Sequence, residues 1–248
     1  MSEDRVAALE TRLADMERRL QIREDELDVR KLQFTYGYLI DKCLYNEVID
    51  LFTDDGMVTF FGGTWKGKDG ARRLYVERFQ KRFTHGINGP IDGFLLDHPQ
   101  LQDIVTILPD GVTAKVRARS TMQAGRHKDY TDPDNPALGV RQWWEGGIYE
   151  NTYKKVDGKW RIHHLNYWPH WHADFETGWA YTPEEYVPFP RITYPTDPTG
   201  PDELVDDHWL WPTHKLFPFH FKHPITGEEI VAGRWQGDID RENAKKKG

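Results

Sequence analysis

An aspartate, Asp41, falls within the segment LDVRKLQFTYGYLIDKCLYNEVIDLF, which is otherwise dominated by apolar and tyrosine residues and has helical periodicity. At helical spacing Phe34, Tyr38, Asp41 and Tyr45 share one face, and Leu32, Tyr36, Leu39 and Cys43 line the adjoining one. Both faces read as core-directed. A carboxylate there must find hydrogen-bond donors or shift its pKa upward, because desolvation disfavours the charged form. Ringed by tyrosines, it suits general-base work, with Tyr36 and Tyr38 placed to donate to a developing oxyanion or a leaving hydroxyl. The competing reading is a solvated aspartate beside Lys42.

Two further groupings carry chemistry. Lys115, Arg117 and Arg119 alternate along one strand-like run and share a face, which either meets solvent or brings a cation to a phenolate. His163, His164, His170, His172 and Asp174 crowd the end of the last strand-like run, with His170 and His172 on one face. Imidazoles with a carboxylate can hold zinc or non-haem iron. No complete ligand motif is present, so the cluster reads as a hydrogen-bonded pocket wall and no metal is assigned. The chain also lacks a glycine-rich dinucleotide loop, a P-loop ending and a nucleophile elbow, which removes support for nicotinamide, flavin, nucleotide and serine-hydrolase chemistry.

The elements that must position these residues follow from the pattern. Val6, Leu9, Leu13, Met16, Leu20 and Leu27 form an a/d seam with charged flanks, as in a short coiled coil, a helix on a neighbouring subunit, or a helix lying on its own domain. Residues 28 to 53 continue as a long amphipathic helix. Asp54, Asp55 and Gly56 then read as a turn before a strand in MVTFFGG. Residues 67 to 83 form a second helix with Leu74, Val76, Phe79 and Phe83 apolar. Two hairpins follow, turning at Pro109-Asp110-Gly111 and at Asp157-Gly158, with a polar proline-bearing insertion at residues 126 to 138 between them. Beyond residue 172 seven prolines up to Pro212 prevent long helices, while the aromatic content argues for an extended arm that wraps the domain or a neighbour. Helices followed by an antiparallel meander define an α+β fold, with parts 1–27, 28–172 and 173–248.

Composition bounds the function. A net charge of -7 and a pI near 5.9 exclude nucleic acid as an electrostatic partner. The single cysteine, Cys43, excludes an intrachain disulfide framework. With no apolar signal core or membrane-length run, a cytoplasmic location is expected. Aromatic residues make up 13% of the chain, including ten tryptophans, and their crowding after residue 140 points to a pocket for a flat apolar ligand.

The motif order resembles the NTF2-like superfamily, in particular its SnoaL-like branch. The segment LQFTYGYLIDKCLYNEVIDLFTDDGMVTF matches the opening of that branch, and GTWKGKDGARRLYVERF matches its glycine, lysine and short helix. LLDHPQLQDIVTILPDGVTAKVRARS matches the strand pair carrying its histidine, and YENTYKKVDGKWRIHHLNY its closing hairpin. The resemblance spans residues 28 to 168. It implies a cone-shaped curved antiparallel sheet packed on helices around a deep pocket, with an N-terminal helical extension and a long C-terminal arm here added. It also implies work without cofactors, as in scytalone dehydratase, hexachlorocyclohexane dehydrochlorinase and ketosteroid isomerase. The dehydratase-like members pair a helix aspartate with a sheet histidine, which match Asp41 and His98.

The long arm and heptad helix are similar to the diarylpropane lyases, NTF2-like enzymes that release formaldehyde from lignin-derived dimers and leave a stilbene. The resemblance therefore implies a cofactor-independent lyase on a small aromatic substrate, with Asp41, His98, Tyr36 and Tyr38 catalytic. Arg117, Arg119, Trp144, His164, Asn166 and Trp168 are the substrate-binding candidates. A dehydratase or double-bond isomerase on a steroid-like or polyketide ring, and a non-catalytic ligand-binding protein, are the alternatives. A homo-oligomer, trimer or dimer, is expected, with neither membrane nor nucleic acid as partner.

Overall fold

The structure, a computed structural model, describes residues 3–130, 141–183, 186–187, 189–205, 210–213 and 216–231. Part of the proline-bearing insertion and the end of the arm lie outside the described residues.

Helix α1 (Glu3–Asp41) is a single 39-residue helix that runs unbroken through residue 27. Its inward stripe is Asp25, Val29, Gln33, Tyr36, Gly37 and Ile40, a spacing of three and four that places one face on the sheet. The helix stops at Asp41 instead of running to residue 53. Cys43 adopts a left-handed conformation (φ 53°), its N–H returns to the carbonyl of Ile40, and α2 (Tyr45–Asp50) then starts on a new axis. Tyr45 therefore leaves the face it was expected to share with Asp41. Tyr38 is 74% exposed, so only one of the two expected faces is buried.

Strand β1 (Phe52–Phe60) includes Asp54, Asp55 and Gly56, which were expected to form a turn. They are absorbed as an irregularity, because the pairing of β1 with β7 (Lys159–Asp174) shifts register between Phe52 and Met57. After β2 (Gly63–Lys66), the second helix is composite: α3 (Gly67–Arg72), a π-helical stretch (Arg73–Gln80) and α4 (Lys81–Thr84). Leu74 and Tyr75 are both buried on this widened stretch.

The remaining strands are β3 (Phe94–Asp97), β4 (Gln100–Ile107), β5 (Thr113–Arg126), β6 (Gln142–Val156) and the two-residue β8 (Glu203–Leu204) in the arm. The sheet order is β3-β5-β6-β7-β1-β2-β8, with β4 also on β5, and all described pairs are antiparallel except β1 with β7. Both expected hairpins form. The sheet curves around the helices, and Val58, Val116, Ala118, Tyr149, Tyr153, Leu165 and Tyr167 meet Val29, Tyr36, Ile40, Val48, Leu74 and Tyr75 in one core. Its convex face is covered in part by the arm, where Arg117 donates to the carbonyls of Phe217 and Pro218. Among the described residues no helix is long and apolar enough to cross a membrane.

Candidate active site

The geometry around Asp41 begins with a break in a strand. β3 and β4 lie end to end along the same partner, with Asp97 opposite Gln123 and Gln100 opposite Ser120. His98 and Pro99 occupy the gap. Pro99 has no N–H to give the ladder and holds the residue before it extended, so the His98 N–H needs a partner outside the sheet. Asp41 supplies it: its Oδ1 accepts the His98 main-chain N–H at 2.6 Å. Gly37 lets the helix come this close, since a Cβ there would sit 2.5 Å from the Gln100 side chain. Gln33 donates to the same glutamine at 2.6 Å, and Arg30 reaches Asp103 at 2.5 Å, fastening α1 along β4.

Asp41 and His98 are thus brought together, but through the main chain. The carboxylate does not hold the imidazole. Burial raises the Asp41 pKa, the His98 N–H opposes the shift, and nearby Asp97 adds to it. The His98 ring points inward and is 5% exposed. Its Nε2 is 3.3 Å from Tyr149 Oη, and its Nδ1 is buried without a hydrogen-bond partner among the described residues. Burial pushes its pKa down to about 4, so the ring is neutral.

Around this ring the concave face of the sheet is built from tyrosines. Tyr149 and Tyr167 stand 4.7 Å apart between centroids, and Tyr149 meets Tyr36 edge-on at 6.0 Å. The Tyr36 hydroxyl is 3.0 Å from that of Tyr75 on the π-helical stretch, and burial raises the Tyr36 pKa to about 12. Tyr36 therefore lies in the site, whereas Tyr38 points out to solvent.

A residue that sequence reasoning missed completes the cluster. Glu145 is 2% exposed, accepts a hydrogen bond from Tyr167 Oη at 3.0 Å, and lies 3.5 Å from His172 Nε2. Burial raises its pKa to about 8 and lowers that of His172 to about 4, so both are neutral near pH 7. The sequence signal was present: a lone glutamate between tryptophans and glycines, on the same alternating positions as Tyr149 and Tyr153. Gly147 between them has no side chain, and a Cβ there would meet Tyr167 Oη at 2.7 Å.

The same alternation sends other candidates outward. Arg117, Arg119, Trp144, His164, Asn166 and Trp168 lie on the convex face, opposite Tyr149 and Tyr167. Arg117 forms an ion pair with Glu150 and stacks on Phe219 of the arm at 4.0 Å, and Arg119 is exposed. Trp168 packs on Phe217 (4.7 Å), Trp144 on Trp171 (5.1 Å), and His164 Nε2 meets Thr59 Oγ1 at 2.9 Å. His170 and His172 do not share a face. The pairing of β6 with β7 shifts between Gly146 and Gly147, so His172 turns in to Glu145 while His170 stacks on Phe217. Among the described residues no group of three or more His, Cys, Asp or Glu converges to hold a metal.

A cleft of about 660 Å³ opens at the end of the sheet, lined by Phe94, Leu95, Arg126, Tyr130, Trp143 and Phe175 among others. Phe83 stacks on both Phe94 (5.4 Å) and Trp143 (6.2 Å) beside it. Asp41 and His98 are not among its lining residues, though β3 leads from the cleft to His98.

Residues 21–166 match the model of the SnoaL-like domain, more than half of the chain. The chain belongs to the SnoaL-like family. Solved structures are similar to the chain, and the two with TM-scores of 0.50 and 0.51 share its fold. A hexachlorocyclohexane dehydrochlorinase, LinA type 2, is 16% identical with a TM-score of 0.50, covering 63% of this chain and 92% of its own. LinA itself is 14% identical with a TM-score of 0.51, covering 66% and 98%. A Novosphingobium aromaticivorans protein provisionally named scytalone dehydratase is 18% identical with a TM-score of 0.43, covering 67% and 91%. No curated protein sequence matches the chain. The family assignment accounts for the curved sheet closed by helices. The heptad end of α1, the last part of β7 from residue 167 and the arm lie outside the matched span.

Proposed function

We propose that this SnoaL-like protein is a cofactor-independent lyase that removes water and formaldehyde from a diaryl propanediol of the lignin type, leaving a stilbene. The observation that carries the reading is His98. It is a neutral imidazole with one ring nitrogen on Tyr149 and the other buried and, among the described residues, unpartnered, held at a strand break by Asp41. An unpartnered buried nitrogen is costly, and a substrate hydroxyl would satisfy it.

The roles follow from protonation state. Glu145, neutral near pH 7, gives its proton to the benzylic hydroxyl; the C–O bond breaks and water leaves. The cation left behind is delocalised into the oxygen-bearing ring. His98 then takes the proton of the hydroxymethyl O–H, the C–C bond pair forms the new double bond, and formaldehyde departs. One proton leaves Glu145 and one arrives at His98, so it must return between turnovers. Tyr149 and Tyr167 lie between the two residues. Asp41 is a positioning residue that acts through the main chain of His98. The aromatic cleft beside Phe83 and Trp143 supports a two-ring substrate. The dehydrochlorinase name of a protein that shares the fold supports elimination as the reaction class.

The test is formaldehyde release from a diaryl propanediol. His98→Ala should lower turnover at least about a hundredfold, the usual scale for a general base. Asp41→Ala should lower it too, while Asp41→Asn, which keeps an acceptor for the His98 N–H, should restore most of the loss. Near-wild-type turnover in His98→Ala removes the mechanism. A dehydrated product without formaldehyde would establish the dehydratase reading instead.

A further inference from the structure

Among the described residues, the first part of α1 is not packed against the rest of the chain. Every residue from 3 to 21 is exposed, and the helix is first anchored at Asp25, which accepts from Lys155 Nζ at 2.5 Å and from Trp160 Nε1 at 2.9 Å. A free helix of this length is marginal in water. Yet it carries a seam of large apolar side chains: Val6, Leu13 and Leu20 at a, Leu9 and Met16 at d, between 39% and 59% exposed.

The flanking charges identify the partner. In that register the e positions are Glu10, Glu17 and Glu24, and the preceding g positions are Arg5, Arg12 and Arg19. In a parallel pair each g residue faces the e residue five positions later on the other helix. The pairs are Arg5 with Glu10, Arg12 with Glu17 and Arg19 with Glu24, opposite in sign every time and made twice by symmetry. An antiparallel pair would set arginine against arginine and glutamate against glutamate. In the chain as it stands Arg19 has only a 3.9 Å contact with Asp15, both half or more exposed, and is available.

We propose that residues 5 to 24 form a parallel, in-register, two-stranded coiled coil with a second copy of this chain. Arg23 at a d position favours two strands over three, because a charged end escapes more easily from the flatter seam of a pair. The inference is independent of the catalytic reading.

The test uses the full-length protein in sedimentation equilibrium. Wild type should sediment at twice 29.1 kDa. Arg12→Glu with Arg19→Glu should weaken association at least tenfold, and adding Glu17→Arg with Glu24→Arg should restore it. Near-UV circular dichroism and the thermal transition of the core should stay the same in every variant, since these residues are exposed and lie outside the core, while far-UV helicity should fall and recover with association. Leu9→Cys should crosslink between copies on mild oxidation, because the native Cys43 is buried. A monomeric or trimeric wild type, an association indifferent to the double charge reversal, a quadruple variant that fails to recover, or a Leu9→Cys protein that does not crosslink would each overturn the proposal.

Discussion

Replacing Glu145 by glutamine tests whether a buried carboxylic acid, neutral at physiological pH, stands in the site. Glutamine keeps the shape, still accepts from Tyr167 Oη, and offers an N–H toward His172 Nε2. The burial that raises the Glu145 pKa from 4.5 to about 8 must appear as pH-dependent stability. Below the unfolded value both states hold the proton and nothing is lost. Above it the unfolded chain releases its proton while the fold must keep it. Stability therefore falls by about 1.4 kcal/mol per pH unit up to the folded value and then levels off. From about pH 5 to about pH 9 the wild type should lose about 4 kcal/mol from this residue alone. Glu145→Gln lacks the slope. Urea denaturation across that range reads the difference directly, as two midpoints that nearly coincide at the acid end. They should separate by about 2 M at the alkaline end for a slope near 2 kcal/mol/M. A constant offset would mean that Glu145 is ionised against a charged His172. The role of proton donor would then fail with it.

Acid should destabilise the protein through its histidines. His98 and His172 are held neutral by burial, with pKa values near 4 against 6.5 in the unfolded chain, so their contribution is complete above about pH 6.5 and is lost toward pH 4. His98→Gln should flatten that acid limb by about 3 kcal/mol in the same urea series, and an unchanged limb would contradict a neutral buried ring. Arg117→Ala should free the arm, because it removes the donor to Phe217 and Pro218 and leaves Glu150 with His220 alone. We expect a loss of about 2 to 3 kcal/mol and faster chymotryptic cleavage near Phe217, with turnover unchanged. A collapse in turnover with an intact arm would instead place Arg117 against substrate.

Much of the architecture was legible because it rests on local rules. Alternation and Asp-Gly turns marked both hairpins, three-and-four spacing marked α1, helix-then-meander order marked the α+β class, and the resemblance of four ordered motifs pointed to the SnoaL-like fold. The misplacements share one cause, which is that a face is defined only relative to a partner. Periodicity put Lys115, Arg117 and Arg119 on one face of their strand, but whether that face meets the helices or the arm depends on how the sheet curves. A single register shift at Gly146 and Gly147 then separated His170 from His172.

Taken alone, the sequence determined the element order and the heptad seam with its alternating arginines and glutamates, both written in residue type and spacing. The pairing of Asp41 with His98 followed from the resemblance of its motifs to the SnoaL-like branch. Only the tertiary structure decided that Asp41 meets the His98 main chain instead of its ring. That contact exists because Pro99 interrupts the ladder and Gly37 admits the helix. It likewise decided that Glu145 is an acid held neutral, since a pKa near 8 comes from loss of water around the carboxylate and not from any neighbour in the chain.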